Sequence, residues 1–119
     1  MLNWSPKEAF FMQKLNIDLG RNKKIYFASD FHLGVPNKKE SLSREIKIIR
    51  WLETIKKDAA AILLVGDIFD FWFEYDYVVP KGFIRFLSKL AEFSDKKIPI
   101  YIFHGNHDMW MFDYLETEI

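Results

Sequence analysis

The feature that most constrains this chain is Ala61-Ile62-Leu63-Leu64-Val65, an unbroken apolar run that stops at Gly66-Asp67. A strand with one wet face alternates apolar and polar residues. A continuous run suits a strand buried on both faces, as in a parallel sheet. Two further short runs fit the same sheet. Ile25-Tyr26-Phe27-Ala28-Ser29 ends in Asp30. Ile98 to Phe103 ends in His104-Gly105-Asn106, with Pro99 tolerable only near the start of its strand. Helical periodicity fills the gaps. From about Leu42 to Lys57, Ile46, Ile49 and Leu52 join Ile48 and Ile55 on a broad apolar face. From Phe83 to about Phe93, Phe83, Leu87 and Leu90 share a face with Ile84 and Ala91. Arg85, Ser88, Lys89 and Glu92 lie opposite. The order β-α-β-α-β with right-handed crossovers predicts an α/β fold, a parallel sheet with covering helices.

The 119 residues allow one small domain or a piece of a larger one. Seventeen basic residues balance seventeen acidic ones, which argues against the strongly basic footprint that nucleic acid requires, and no nucleic acid is expected as a partner. Half the residues are hydrophobic, which argues against a disordered tail. The absence of cysteine excludes disulfides, thiolate metal sites and cysteine nucleophiles. No stretch approaches the ~20 apolar residues of a membrane span. Ala9-Phe10-Phe11-Met12 is too short for a signal-peptide core. The expected location is therefore cytoplasmic. Ser5-Pro6-Lys7-Glu8 is a capping-box helix start, with the helix running to about Leu15. Residues 1–23 read as a helical extension and 24–119 as the body of the domain.

Each polar cluster of note follows a strand directly, where open α/β sheets bind ligands. They are Asp30-Phe31-His32, Asp67-Ile68-Phe69-Asp70 and Asn106-His107-Asp108. Asp30, Asp67 and Asn106 are spaced by 37 and 39 residues, one strand-helix unit per step. Taken singly, each has a bland explanation. Asp30 could cap a loop beside a surface His32, and the Gly-Asp and Gly-Asn pairs could be simple turns. Three in this order, each at a strand end, are hard to explain that way. Imidazole, carboxylate and amide oxygen together suit Mn²⁺, Fe²⁺ or Zn²⁺ better than Ca²⁺ or Cu⁺. A carboxylate such as Asp67 could bridge two such ions. Gly66 and Gly105 would let the backbone turn beside them.

The three motifs, Asp30-x-His32, Gly66-Asp67-x-x-Asp70 and Gly105-Asn106-His107-Asp108, resemble those of the calcineurin-like metallophosphoesterases over about residues 24 to 119. The resemblance implies two divalent metals, manganese foremost with iron or zinc as alternatives. It implies that Asp30 and His32 bind one metal, Asp67 bridges and Asn106 binds the second. His107 would contact the scissile phosphate or protonate the leaving group, Asp108 would orient that histidine, and Asp70 would stand behind the ligands. Asn106 and His107 thus also count as substrate-binding. Within the superfamily, Gly66 to Phe73 and Asp30 to Gly34 look most like the UDP-2,3-diacylglucosamine hydrolases of lipid A synthesis. The well-studied branch of these has Arg where this chain has His107. The substrate so implied is a sugar-nucleotide lipid or another small phosphoester. A peripheral contact with the inner membrane would accompany the former.

The aromatic stretch Phe69, Phe71, Trp72, Phe73, Tyr75 and Tyr77 could wall an acyl-chain or nucleotide pocket. Core packing under the second helix is the favoured reading for most of these rings. Competing functions are a general phosphodiesterase or phosphomonoesterase, and a binding scaffold without turnover. Four ligands are few for two metals, and of the three histidines His104 reads as a packing residue. The chain is therefore expected to be the incomplete N-terminal half of a metallophosphoesterase sandwich. By itself it is expected to fold marginally, bind Mn²⁺ weakly and turn nothing over.

Overall fold

Parallel pairing in the order β1-β2-β3 organises the computed structural model, which describes residues 14–111 and 113–119. The elements are β1 Lys24–Ala28, α1 Lys38–Ile55, β2 Ala59–Val65, α2 Ile84–Asp95, β3 Ile100–Phe103 and α3 Tyr114–Glu118. The α/β class and the β-α-β-α-β order are as predicted. The helix expected from Ser5 to about Leu15 lies outside the described residues except for Lys14 and Leu15, which are not helical.

Both crossovers step the same way across the sheet, so a common right hand puts α1 and α2 on one face. That face carries Tyr26, Ile62 and Ile100 in one row and Ala28, Leu64 and Ile102 in the next. Ile48, Leu52 and Ile55 from α1 and Phe86, Leu90 and Phe93 from α2 close the core over it. The apolar run of β2 is buried from Ala61 to Leu64, as its pattern required, and opens only at Val65. The helices account for one side of it. The other side presents Phe27, Leu63 and Tyr101 in one row and Val65 and Phe103 in the next. Among the described residues no helix belongs to this side, and Phe27 stands 64% exposed.

The helices differ from expectation in ways that matter for the site. α1 begins a full turn earlier than its apolar periodicity suggests, because the Asn37 side chain caps it by accepting from the Glu40 amide at 2.9 Å. Its buried stripe is Ser41, Glu45, Ile48, Leu52 and Ile55, and Ile46 faces outward. On α2 the inner face is turned by about one residue. Phe86 and Phe93 are buried, whereas Ile84 is 69% exposed. β3 starts at Ile100 because Pro99 has no N–H to give the ladder. A ring of alternating charges ties the two helices together. Lys56 reaches Glu53 and Glu92 at 2.6 and 2.9 Å, and Lys89 reaches the same pair at 2.8 and 2.7 Å. Hydrogen bonds from Lys56 and Lys89 pull the Glu53 carboxyl down to about 2.

Candidate metal centre

The first two strand ends are locked to each other by backbone. Asp30 N–H donates to the Gly66 carbonyl at 3.1 Å, His32 N–H to Asp67 at 3.0 Å and Leu33 N–H to Ile68 at 3.0 Å. Asp70 N–H returns a bond to Leu33 at 2.9 Å. Arg44, on α1, threads its guanidinium under the first loop and donates to the carbonyls of Phe31, His32 and Val35. This scaffold holds Asp30, His32 and Asp67 at φ of 58°, 45° and 52°, the left-handed region that non-glycine residues avoid. Such conformations cost on the order of 1–3 kcal/mol each and persist where surrounding structure enforces them, typically at functional sites. All three are residues singled out from the sequence.

The third strand end is fastened to the second by a buried carboxylate. Asp108 is fully buried, and its oxygens accept from four backbone amides: Asp67 at 3.2 Å, Ile68 at 2.8 Å, Phe69 at 3.2 Å and Gly105 at 2.7 Å. Asp108 is the residue expected to orient His107; its oxygens here accept from the amides of the 67–69 turn and of Gly105. The glycines of the two motifs meet directly. A Cβ on Gly66 would lie 3.1 Å from Gly105 Cα, and one on Gly105 would lie 2.2 Å from Asp67 Oδ1. Only a glycine at 105 leaves room for the Asp67 carboxylate.

With the loops so placed, carboxylate and imidazole atoms converge. Asp30, His32 and Asp67 offer ligand atoms within 4.8 Å of one another, and so do His32, Asp70 and His107. His32 Nε2 lies 3.6 Å from Asp30 Oδ1, and its Nδ1 lies 3.5 Å from Asp70 Oδ1. The two histidine rings meet edge to face with centroids 5.1 Å apart. Asp67 Oδ1 accepts the His107 amide at 3.0 Å, so this carboxylate touches the third loop while facing the ligands of the first. His107 Nδ1 lies 3.1 Å from the Asp70 carbonyl oxygen and 3.5 Å from its carboxylate. Asp70, then, is the neighbour of the His107 ring. Asn106 is exposed on the same loop, between Gly105 and His107. His104 has a buried Nε2 with no partner among the described residues.

This donor set fits divalent metals. Two carboxylates and an imidazole within a few ångströms, on backbone held in a strained conformation, form a mixed oxygen and nitrogen site of the kind borderline cations favour. A carboxylate on the far ring nitrogen of His32 is the outer support a ligating imidazole ordinarily has.

The aromatic stretch divides. Phe69 and Trp72 are core residues and Phe73 is half-buried, but Phe71, Tyr75 and Tyr77 are exposed, against the expectation of core packing for most. Trp72 is placed by Glu74, a buried carboxylate that accepts the indole N–H at 2.8 Å. Its other oxygen accepts the amides of Asp113 and Tyr114, both at 3.0 Å. Sequence reasoning missed Glu74, Arg44 and Glu45. Each looks like an ordinary surface charge until the fold brings it to another segment's backbone.

The family model for calcineurin-like phosphoesterases matches residues 23–119. A UDP-2,3-diacylglucosamine hydrolase of Porphyromonas gingivalis (strain ATCC BAA-308 / W83) is 52% identical over 96 residues, which is 81% of this chain and 37% of that protein. Proteins of the same name from Shewanella piezotolerans and Shewanella baltica are each 32% identical over 71% and 74% of the chain. The chain spans about a third of the length of these curated relatives, 33% and 34% in the two Shewanella cases.

Proposed function

The chain belongs to the calcineurin-like phosphoesterase family, and from that premise we propose that it carries half of a dimetal centre that hydrolyses a phosphoester or pyrophosphate. The observation that carries this reading is the convergence of Asp30, His32 and Asp67 within 4.8 Å, on backbone bent into the left-handed region at all three. Asp30 and His32 would hold one ion, Asp67 would serve both, and Asn106 would serve the second. Bound there, two divalent ions would supply Lewis acidity toward phosphoryl oxygens and acidify a water. Manganese is the ion we propose, with iron and zinc compatible with the same donors.

The chain's own residues do the rest. Asp70 fixes the His107 ring through Nδ1, so the Nε2 side is left for a phosphoryl or leaving-group oxygen. His107 is the proton donor in this reading, and Asp70 is its positioning residue. Asp108 acts one step further back, by holding the turn on which Asp67 stands. The proposed substrate is UDP-2,3-diacylglucosamine, cleaved at its pyrophosphate to the lipid 1-phosphate and UMP. Its support is the 52% identity to a protein of that name. The exposed rings of Phe71, Tyr75 and Trp110 flank the loops that carry Asp70 and His107 and suit an acyl-bearing ligand or the edge of a membrane. No helix among the described residues is long and apolar enough to cross a membrane.

A substrate panel with Mn²⁺, run on the complete protein, tests the reading: the sugar-nucleotide lipid, bis-p-nitrophenyl phosphate and p-nitrophenyl phosphate. The expected order of kcat/KM is the lipid first. A preference for either nitrophenyl ester points to a general phosphoesterase, and no turnover of any points to a binding scaffold. His107→Gln is expected to keep its metal and lose about 10²- to 10⁴-fold in rate, the range for a general acid. A very good leaving group should restore part of that loss. If it restores none, His107 is not the acid.

A further inference from the structure

A cleft of about 510 Å³ opens beside the first metal-site loop, between the N-terminal ends of α1 and α2. Gly34, two residues after His32, forms part of its wall. Lys38, Lys81 and Arg85 line it from three different segments, and none of the three has a carboxylate partner among the described residues. Like charges gather here in a chain whose basic and acidic residues balance overall. All three are exposed, so water and salt screen their mutual repulsion while leaving them open to an anion.

The rest of the wall is suited to a polar guest. Gly34 and Gly82, at φ of 118° and 109°, leave bare backbone on two sides, and a Cβ on Gly82 would meet nothing within 4 Å. α2 starts at a left-handed Phe83 with no side-chain cap on its first turn. The buried Glu45 carboxylate takes only the third amide, that of Phe86, at 2.9 Å. The Phe83 ring packs against Phe69 in the core, which fixes the mouth of the cleft. The volume is in the range of small-ligand sites and far exceeds that of a lone ion.

We propose that this cleft is an anion subsite which takes the non-reacting phosphate of a diphosphate substrate, together with the polyhydroxyl group attached to it. It rests on the hydrolase reading above and adds to it the part of the substrate that binds without reacting. Gly34 lies within about 7 Å of His32 along the chain, a span that one phosphoanhydride link and its sugar cover. Lys38, Lys81 and Arg85 neutralise the phosphate, and Glu45 accepts from hydroxyls.

Inorganic pyrophosphate, titrated by calorimetry into the native protein after metal removal by chelation, reads this cleft apart from the metal centre. The native protein is expected to bind it. The double variant Lys38→Gln/Lys81→Gln should bind at least tenfold more weakly with unchanged Tm, and Arg85→Gln should show a smaller loss. Lys57→Gln/Lys96→Gln, which removes the same charge elsewhere, should bind as the native protein does. Absence of binding by the native protein, native-like binding by the first pair, or equal loss in the control pair would each overturn the subsite. Hydrolysis of bis-p-nitrophenyl phosphate by the native protein with Mn²⁺ tests the metal chemistry separately, so failure of either reading is recognised on its own.

Discussion

Replacing Asp108 with Asn exchanges an acceptor for a donor in front of four backbone amides that already donate to it. The amide nitrogen of Asn cannot accept, so at least one buried N–H is left unmet. A stability loss of about 3 kcal/mol is expected in urea unfolding, within the range for hydrogen bonds to a buried charge. Metal affinity should fall with it, since the same turn carries Asp67. Native stability with weakened catalysis alone would mean that Asp108 serves the reaction directly. At this scale the residues that converge as a candidate site were largely legible in advance. Asp30, His32, Asp67 and His107 stand at strand ends in motifs whose residue types already speak of metal and phosphate. The contacts of Asp108 and Asp70 were not legible, because which carboxylate meets the imidazole and which meets the amides depends on how two loops distant in sequence overlie. Gly105 carried a signal only as a turn residue, whereas its real constraint is the Asp67 carboxylate pressed against it.

Between elements, the ring of Glu53, Lys56, Lys89 and Glu92 makes a prediction about acid. The Glu53 carboxyl is held at about 2 in the folded chain by hydrogen bonds from Lys56 and Lys89, against an unperturbed value of 4.5. A depressed carboxyl stabilises the fold above its unfolded pKa and loses that contribution as pH falls toward its folded pKa. Glu53 itself is exposed and its partners are only partly buried, so its effect is modest and salt-sensitive. Glu53→Gln should therefore lower Tm slightly at neutral pH and low salt. The gap from the native protein should close between about pH 4.5 and 2. A gap that persists unchanged to pH 2 would mean the side chain acts by packing. Element order was readable from apolar runs and their stops, because a parallel strand buried on both sides leaves a signature of its own. Element limits were less so. The start of α1 is set by the Asn37 cap, and α2's inner face by Phe86 and Phe93, which periodicity alone placed one step around the helix.

For the whole molecule, equal-handed crossovers have a consequence that apolar patterning could not reveal: they stack both helices on one side of the sheet. Phe27 and Val65, with the half-buried Tyr101 and Phe103 beside them, present apolar surface on the other, where no helix lies among the described residues. The 119 residues by themselves should bind a hydrophobic dye through this face, and Phe27→Lys with Val65→Lys should reduce that binding. Unchanged dye fluorescence would place the exposed apolar surface elsewhere. The carboxyl ends of the strands carry the proposed site, in which Asp67 and its neighbours would hold divalent metal for phosphoester hydrolysis. The most direct test is bis-p-nitrophenyl phosphate hydrolysis by the complete native protein and by its Asp67→Asn variant as Mn²⁺ is removed by chelation and then restored, with bound metal followed by elemental analysis. Native turnover should vanish on chelation and return with Mn²⁺, while Asp67→Asn should lose both turnover and bound metal. Turnover that survives complete metal removal, or an Asp67→Asn protein that keeps its metal and its rate, would contradict the account.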